Sequence, residues 1–181
     1  MPAAADHLAD AGAVAVEVLG SLAERDVALG PMTTYRVGGP ADVFVRARRA
    51  EDLVRVAEAA RRSGLEVLPI GRGSNMLISD AGFRGIALSL VEFDDVLDID
   101  AETAMVTVSA GMALPVVARK TAAAGLSGFE WAVGVPGSIG GAVRMNAGGH
   151  GSDMAAVLVD VSVVDLSAST VSSAVERTLA A

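Results

Sequence analysis

Two glycine-rich stretches constrain this chain more than any other feature. The first is Pro69-Ile70-Gly71-Arg72-Gly73-Ser74-Asn75; the second runs from Gly134 to Gly151 as GVPGSIGGAVRMNAGGHG. Seven glycines and a proline in eighteen residues cannot make an ordinary core helix. Yet Val133, Val135, Ile139, Val143 and Met145 mark the second stretch as buried, not as a loose linker. Buried glycine-rich backbone must find partners for its N–H and C=O groups. Main-chain N–H groups interleaved with hydroxyl and amide side chains suit an anion, and a large phosphorylated cofactor is the expected ligand.

Bulk properties narrow the remaining choices. A chain of 181 residues makes one ordinary domain or two small lobes sharing a ligand, and 52% hydrophobic residues can fill a core. A net charge of −8 argues against nucleic acid as a partner, because a phosphate backbone needs a basic surface. With no cysteine, disulfides, thiolate zinc sites and cysteine nucleophiles are excluded. The two histidines, His7 and His150, leave no basis for a histidine metal cage, so no metal ligand is assigned. The N-terminus, with Asp6, Asp10 and Glu17, does not read as a signal peptide, and no apolar run reaches membrane-spanning length. A soluble cytoplasmic protein without membrane insertion is expected.

The chain reads as alternating β and α segments. Residues 1–25 carry a loose helical pattern with Val14, Val18 and Leu22 on one face. Ala41 to Ala47 predicts a strand, and Glu51 to Ser63 a helix burying Leu53, Val56, Ala57 and Ala60, closed by Gly64. Leu65 to Ile70 then feeds into the first glycine loop. Further strands are expected at 85–90, 96–99, 105–110 and 157–166, and a second helix at 113–124. The fold class is α+β, built as two small α/β lobes. Residues 1–26 read as an N-terminal extension, 27–90 and 91–166 as the two lobes, and 167–181 as a divergent tail.

The first glycine loop is neither a Walker A loop, since no Lys-Ser/Thr follows, nor a dinucleotide fingerprint, since Met76-Leu77-Ile78 continue as a strand-like run, not a helix. It is either a tight turn or a nest of N–H groups, with Ser74 and Asn75, around a pyrophosphate. The segment Thr33-Thr34-Tyr35-Arg36-Val37-Gly38-Gly39-Pro40-Ala41-Asp42 is either a capped turn or a cofactor contact. Phe129-Glu130-Trp131 reads as a packing anchor.

Taken in order, TTYRVGGPAD, then PIGRGSNMLISD with FRGIALSL, then GLSGFEWAVGVPGSIGGAVRMNAGGHG resemble the UDP-N-acetylenolpyruvoylglucosamine reductase family, flavoenzymes of peptidoglycan precursor synthesis. The resemblance covers residues 27 to 166. It implies the FAD-binding fold of the vanillyl-alcohol-oxidase/p-cresol-methylhydroxylase type. By the same resemblance, Gly71, Arg72, Gly73, Ser74 and Asn75 would embrace the FAD pyrophosphate. Pro136, Gly137, Ser138, Gly140, Gly141 and Asn146 would line the flavin and the rest of its diphosphate, with Tyr35 and Arg36 as entry-motif contacts. No histidine stands in the first glycine loop, so the implied flavin is non-covalent, with NADPH as reductant and a nucleotide-sugar enolpyruvate as substrate.

The family's catalytic arginine, serine and glutamate lie beyond the matched segment, and no Tyr-Arg-x-Ser sequence occurs here. The chain is therefore expected to be an FAD-domain fragment without the C-terminal substrate domain, and no catalytic residue is assigned within it. A missing domain or partner chain would supply them. The alternatives are a non-catalytic flavin-binding module and another flavin oxidoreductase of the same fold, acting on a hydroxy acid or alcohol.

Overall fold

The computed structural model describes residues 3–93 and 96–166. Its first layer is a helical pair. Helix α1 (Ala3–Leu19) packs on α2 (Ala50–Ser63), and together they cover one face of a four-stranded sheet. Small Ala15 and branched Leu19 of α1 are buried, with Val18 and Leu22 half-buried beside them. The buried stripe thus lies one position on from the expected Val14–Val18–Leu22 line. Arg55 of α2 donates to the carbonyls of Val18 and Leu19, 3.1 and 2.6 Å away, satisfying acceptors that the end of α1 leaves open.

The sheet comprises β1 (Ala23–Ala28), β2 (Pro40–Arg46), β3 (Val67–Ile70) and β4 (Phe83–Ser89) in the order β1-β2-β4-β3. β1 runs antiparallel to β2, while β2 and β3 both lie parallel to β4. The β2–α2–β3 passage forms because α2 is amphipathic: Leu53, Val56, Ala57 and Ala59 are buried, and Gly64, in the left-handed region at φ +72°, ends it. Asp52 in its first turn accepts from the Arg48 and Arg49 amides. The strand β1 was not expected from sequence. It is an edge strand, mostly exposed, and its Glu24-Arg25-Asp26 carries no alternation to read.

The sheet separates two cores. Val43, Val45, Ile86 and Leu88 face the helices; Phe44, Ala87, Leu29, Ile70 and Ile78 form a second cluster on the other side. Ala41 joins Phe44 in that second cluster because a register shift between Ala41 and Val43 breaks the alternation of β2.

A third core lies under the hairpin β5 (Leu97–Asp100) and β6 (Met105–Val108), the helix α3 (Leu114–Ala123) and the short helix α4 (Ile139–Met145). Leu97, Val106 and Val108 pack with Leu114, Val117, Trp131 and Ile139. Asp100 makes the hairpin turn: its carboxylate accepts from the amides of Glu102 and Thr103 and from the Thr103 hydroxyl. Two short paired segments, β7 (Gly148–Gly149) and β8 (Ser152–Asp153), follow. Residues 157–166, expected as a final strand, lie in no strand: their valines at 159, 163 and 164 are exposed, and no sheet edge receives them among the described residues. Among the described residues no helix is long and apolar enough to cross a membrane.

Candidate functional site

The fold brings the two glycine stretches into contact. Loop 71–75 leaves the end of β3, and the second stretch enters α4 through Ser138. Ser74 Oγ donates to the Pro136 carbonyl at 3.2 Å. A methyl group added at Gly71 would run into Ser138 Oγ, and one at Gly137 would lie 3.0 Å from Ser74 Oγ. Here glycine is required for the close approach of one loop to the other.

The entry motif joins the same place. Thr34 N–H donates to the Gly73 carbonyl at 3.1 Å. Gly73, at φ +63°, lies so close to the Met32 carbonyl that no side chain fits. Buried Thr33 donates to the Gly30 carbonyl and accepts from the Arg36 amide, holding Arg36 at φ +54°. Tyr35 is thereby turned outward, 62% exposed.

The donor inventory tests whether these segments fit an anionic cofactor. Among the described residues, no acceptor receives the backbone N–H groups of Gly71 through Asn75, nor those of Gly137 and Ser138. Gly73 and Ser138 are themselves buried residues, where a main-chain donor is normally paired. Arg36, Arg72 and Arg144, carried by these segments, are exposed and have no carboxylate partner among the described residues, as also holds for Arg25, Arg55 and Arg119 elsewhere, whereas Arg46, Arg48, Arg49, Arg61, Arg62 and Arg84 are all paired. In a chain of net charge −8, unpaired donors and unpaired cations on the same segments fit a diphosphate.

Not every candidate has a free polar group. Ser138 Oγ caps α4 by accepting from Gly141 N–H at 3.3 Å, and the Gly140 N–H is taken by the Ala110 carbonyl at 2.8 Å. Asn146 ends α4 in the left-handed region at φ +46°, and its amide is engaged at both ends: Nδ2 donates to Asp153 at 3.1 Å, and Oδ1 accepts from Ala155 N–H at 2.8 Å, leaving one N–H of Nδ2 over. Pro136 offers a carbonyl already shared with Ser74. Arg72 and Asn75 are exposed, with no hydrogen-bond partner among the described residues. The donors open to a ligand are thus the main-chain N–H groups of 71–75 together with the Arg72 and Asn75 side chains.

Beside the second stretch an open hollow of about 440 Å³ is lined by Gly128, Glu130, Trp131, His150 and Ser152. Trp131 is buried against Phe129 in an edge-on pair with centroids 5.4 Å apart, a packing role. The Glu130 carboxyl is held below its ordinary range by its own backbone amide and that of Gly128.

Comparison with known proteins gives one consistent answer. Residues 41–173 match the FAD binding domain family. The UDP-N-acetylenolpyruvoylglucosamine reductase of Synechococcus sp. (strain CC9311) is 44% identical over 144 residues, 80% of this chain and 46% of that relative. The reductase of Halalkalibacterium halodurans is 43% identical over 132 residues, 73% of this chain and 43% of the relative. Among solved structures, the Thermus caldophilus UDP-N-acetylenolpyruvylglucosamine reductase (MurB) superposes with TM-score 0.63 at 34% identity, covering 77% of this chain and 48% of that one. Aclacinomycin oxidoreductase, TM-score 0.56 at 18% identity over 86% of this chain and 34% of that one, shares the fold alone. The chain spans about half the length of the curated relatives it matches. The mixed α+β, FAD-binding fold implied by the sequence resemblance is therefore the fold found.

Proposed function

Because the chain belongs to the FAD binding domain family, we propose that it is the flavin-holding part of a UDP-N-acetylenolpyruvoylglucosamine reductase, working with NADPH on a nucleotide-sugar enolpyruvate in the cytoplasm. The observation that carries this reading is the junction of the two glycine stretches, where a run of main-chain N–H groups finds no acceptor among the described residues. Gly71 to Asn75 would bind the pyrophosphate through those N–H groups, with the Arg72 guanidinium and the Asn75 amide at its edge. Gly137 and Ser138 would donate from the opposite side. Gly140 and Gly141 would act through close packing, Pro136 by shaping the turn, and Asn146 by fixing the segment that follows α4. Tyr35 and Arg36, held outward by Thr33, would close over the ligand's exposed side.

Bound FAD would supply hydride transfer, which no side chain here can perform. The chain's own contribution is to bind, orient and neutralise charge. No proton-transfer residue is assigned within these 181 residues.

Absorbance after incubation with FAD and desalting tests the reading. Retained flavin that is released intact on denaturation supports it; a folded chain that retains none overturns it. A second reading, which the same unpaired N–H groups support, is a flavin-binding module without catalysis of its own. Rapid bleaching of bound flavin by NADPH would support the reductase; no bleaching would favour the module.

A further inference from the structure

The open hollow beside the second glycine stretch stands apart from the seam. None of its lining residues, Gly128, Glu130, Trp131, His150 and Ser152, belongs to the donor walls at 71–75 and 137–138. Its volume of about 440 Å³ is that of a small-molecule site. Its polar groups are unfinished. Trp131 is only 5% exposed, and its indole Nε1 is the one buried side-chain nitrogen or oxygen without a hydrogen-bond partner among the described residues. An indole N–H can only donate, and a buried donor normally has an acceptor. The Ser152 hydroxyl and the His150 imidazole on the same lining have no partner among the described residues either. His150 is held at φ +54°, with Gly151 at φ +86°, in the two-residue turn between β7 and β8, where asparagine or glycine is the usual choice. Its Nε2 stands 3.8 Å from where a Gly134 Cβ would be, against the start of the second stretch. Glu130 is the one carboxylate of the lining; it accepts from Gly128 N–H at 2.7 Å, which helps to keep it ionised.

These groups narrow the ligand. A phosphate or carboxylate would meet the Glu130 charge. An ammonium would leave the indole N–H without an acceptor. A metal ion would need ligands that are not there: no group of three His, Cys, Asp or Glu able to hold one occurs among the described residues. A secondary amide is neutral, with a C=O that only accepts and an N–H that only donates, and it answers the indole and the carboxylate together. The hydroxyl and imidazole beside them suit hydroxyl groups on the same molecule. We propose that the hollow binds the acetamido group of a neutral N-acetylated amino sugar. Trp131 Nε1–H donates to the acetyl carbonyl, the Glu130 carboxylate accepts from the amide N–H, and Ser152 and His150 take ring hydroxyls. The site goes beyond the flavin reading and needs no bound flavin.

Trp131 is the only tryptophan of the chain, so its indole N–H gives a single proton resonance. N-acetylglucosamine added to the full chain without flavin should move that resonance saturably, with a Kd on the order of 1 mM. Glucose, glucosamine and N-acetylalanine N-methylamide should leave it in place. His150→Gly keeps the turn, removes the imidazole and should weaken the sugar about threefold to tenfold. Trp131→Phe, read by saturation transfer to the acetyl methyl protons, should abolish binding. An unmoved resonance, or an equal shift from glucose or from the acetylated amide, overturns the proposal. Unchanged affinity in His150→Gly overturns it even where Trp131→Phe does not fold. Flavin retention is scored on the same preparation. Sugar binding without retained flavin rejects the flavin site alone; retained flavin without sugar binding rejects this site alone.

Discussion

Ser74 and Pro136, 62 positions apart in sequence, are joined by one hydrogen bond of 3.2 Å, and around it the two glycine stretches close on each other. The geometry makes the candidate site a seam between β3 and α4. Its integrity depends on atoms that are missing as much as on those present: Gly71 leaves room for Ser138, and Gly137 for Ser74.

Gly73→Ala should be the most damaging single change in the first loop. The position holds φ +63° and its missing Cβ would strike the Met32 carbonyl. Left-handed strain for a non-glycine residue costs about 1–3 kcal/mol, and the clash adds to it. Urea unfolding should show a loss of about 2 kcal/mol or more, accompanied by loss of flavin retention.

Arg72→Ala should behave in the opposite way. The guanidinium is exposed and unpaired, so stability should stay within about 0.5 kcal/mol of the parent. A lost charge-assisted contact of about 1.5 kcal/mol should weaken FAD binding roughly tenfold. Fluorescence titration at low and high salt checks both the loss and a reduced salt dependence in the variant.

Asn146 separates two contributions. Asn146→Gly loses the bonds to Asp153 and Ala155 but accepts φ +46° freely; Asn146→Ala loses the same bonds and keeps the strain. The alanine variant should therefore be the less stable, by about 1 kcal/mol relative to glycine. Equal melting temperatures would show that the left-handed cap carries no strain.

Asp100 sets an acid limit on the hairpin. The Thr103 hydroxyl, then the Thr103 and Glu102 amides, hold its carboxyl below the ordinary range. The folded state therefore resists protonation more than the unfolded chain does. The stabilisation is complete above the ordinary carboxylate pKa and falls away as pH drops through the lower folded value. Glu130, held down by its own amide and that of Gly128, adds to the same trend. Asp100→Ala should lower the melting temperature at neutral pH, and the difference from the parent should shrink in acid.

Much of this architecture was legible in the residues, and the exceptions have causes. Helix α2 follows its periodicity because it buries one clear face, while β2 and β4 are legible as apolar runs because they lie between two cores and are buried on both faces. In β1 the pattern fails, since an edge strand with Glu24, Arg25 and Asp26 at its centre is held by main-chain pairing, the Glu24–Arg46 ion pair and only the partial burial of Ala23 and Val27. Residues 157–166 fail the other way: β-branched composition is visible, but strand formation depends on a neighbour that composition cannot report. The short helix α4 was hidden by its glycines, although Ser138 before it and Asn146 after it are the residue types that begin and end helices. At the site, the glycine stretches announced themselves. Their mutual contact did not, because no local pattern encodes that Gly71 lies against Ser138 or that Asn146 spends its amide on Asp153.

The Ser74–Pro136 seam also fixes an order of events during synthesis. A chain made from its N-terminus can assemble α1, α2 and the four-stranded sheet as soon as Ser89 has emerged. At that moment loop 71–75 has no opposite wall. A cofactor meeting the nascent chain would find half a cradle, and stable capture must wait until Ser138 and α4 have been translated and folded back onto it. On the proposed reading, loading would be a late maturation step, and translation stalled between the two stretches should release a folded but flavin-free intermediate.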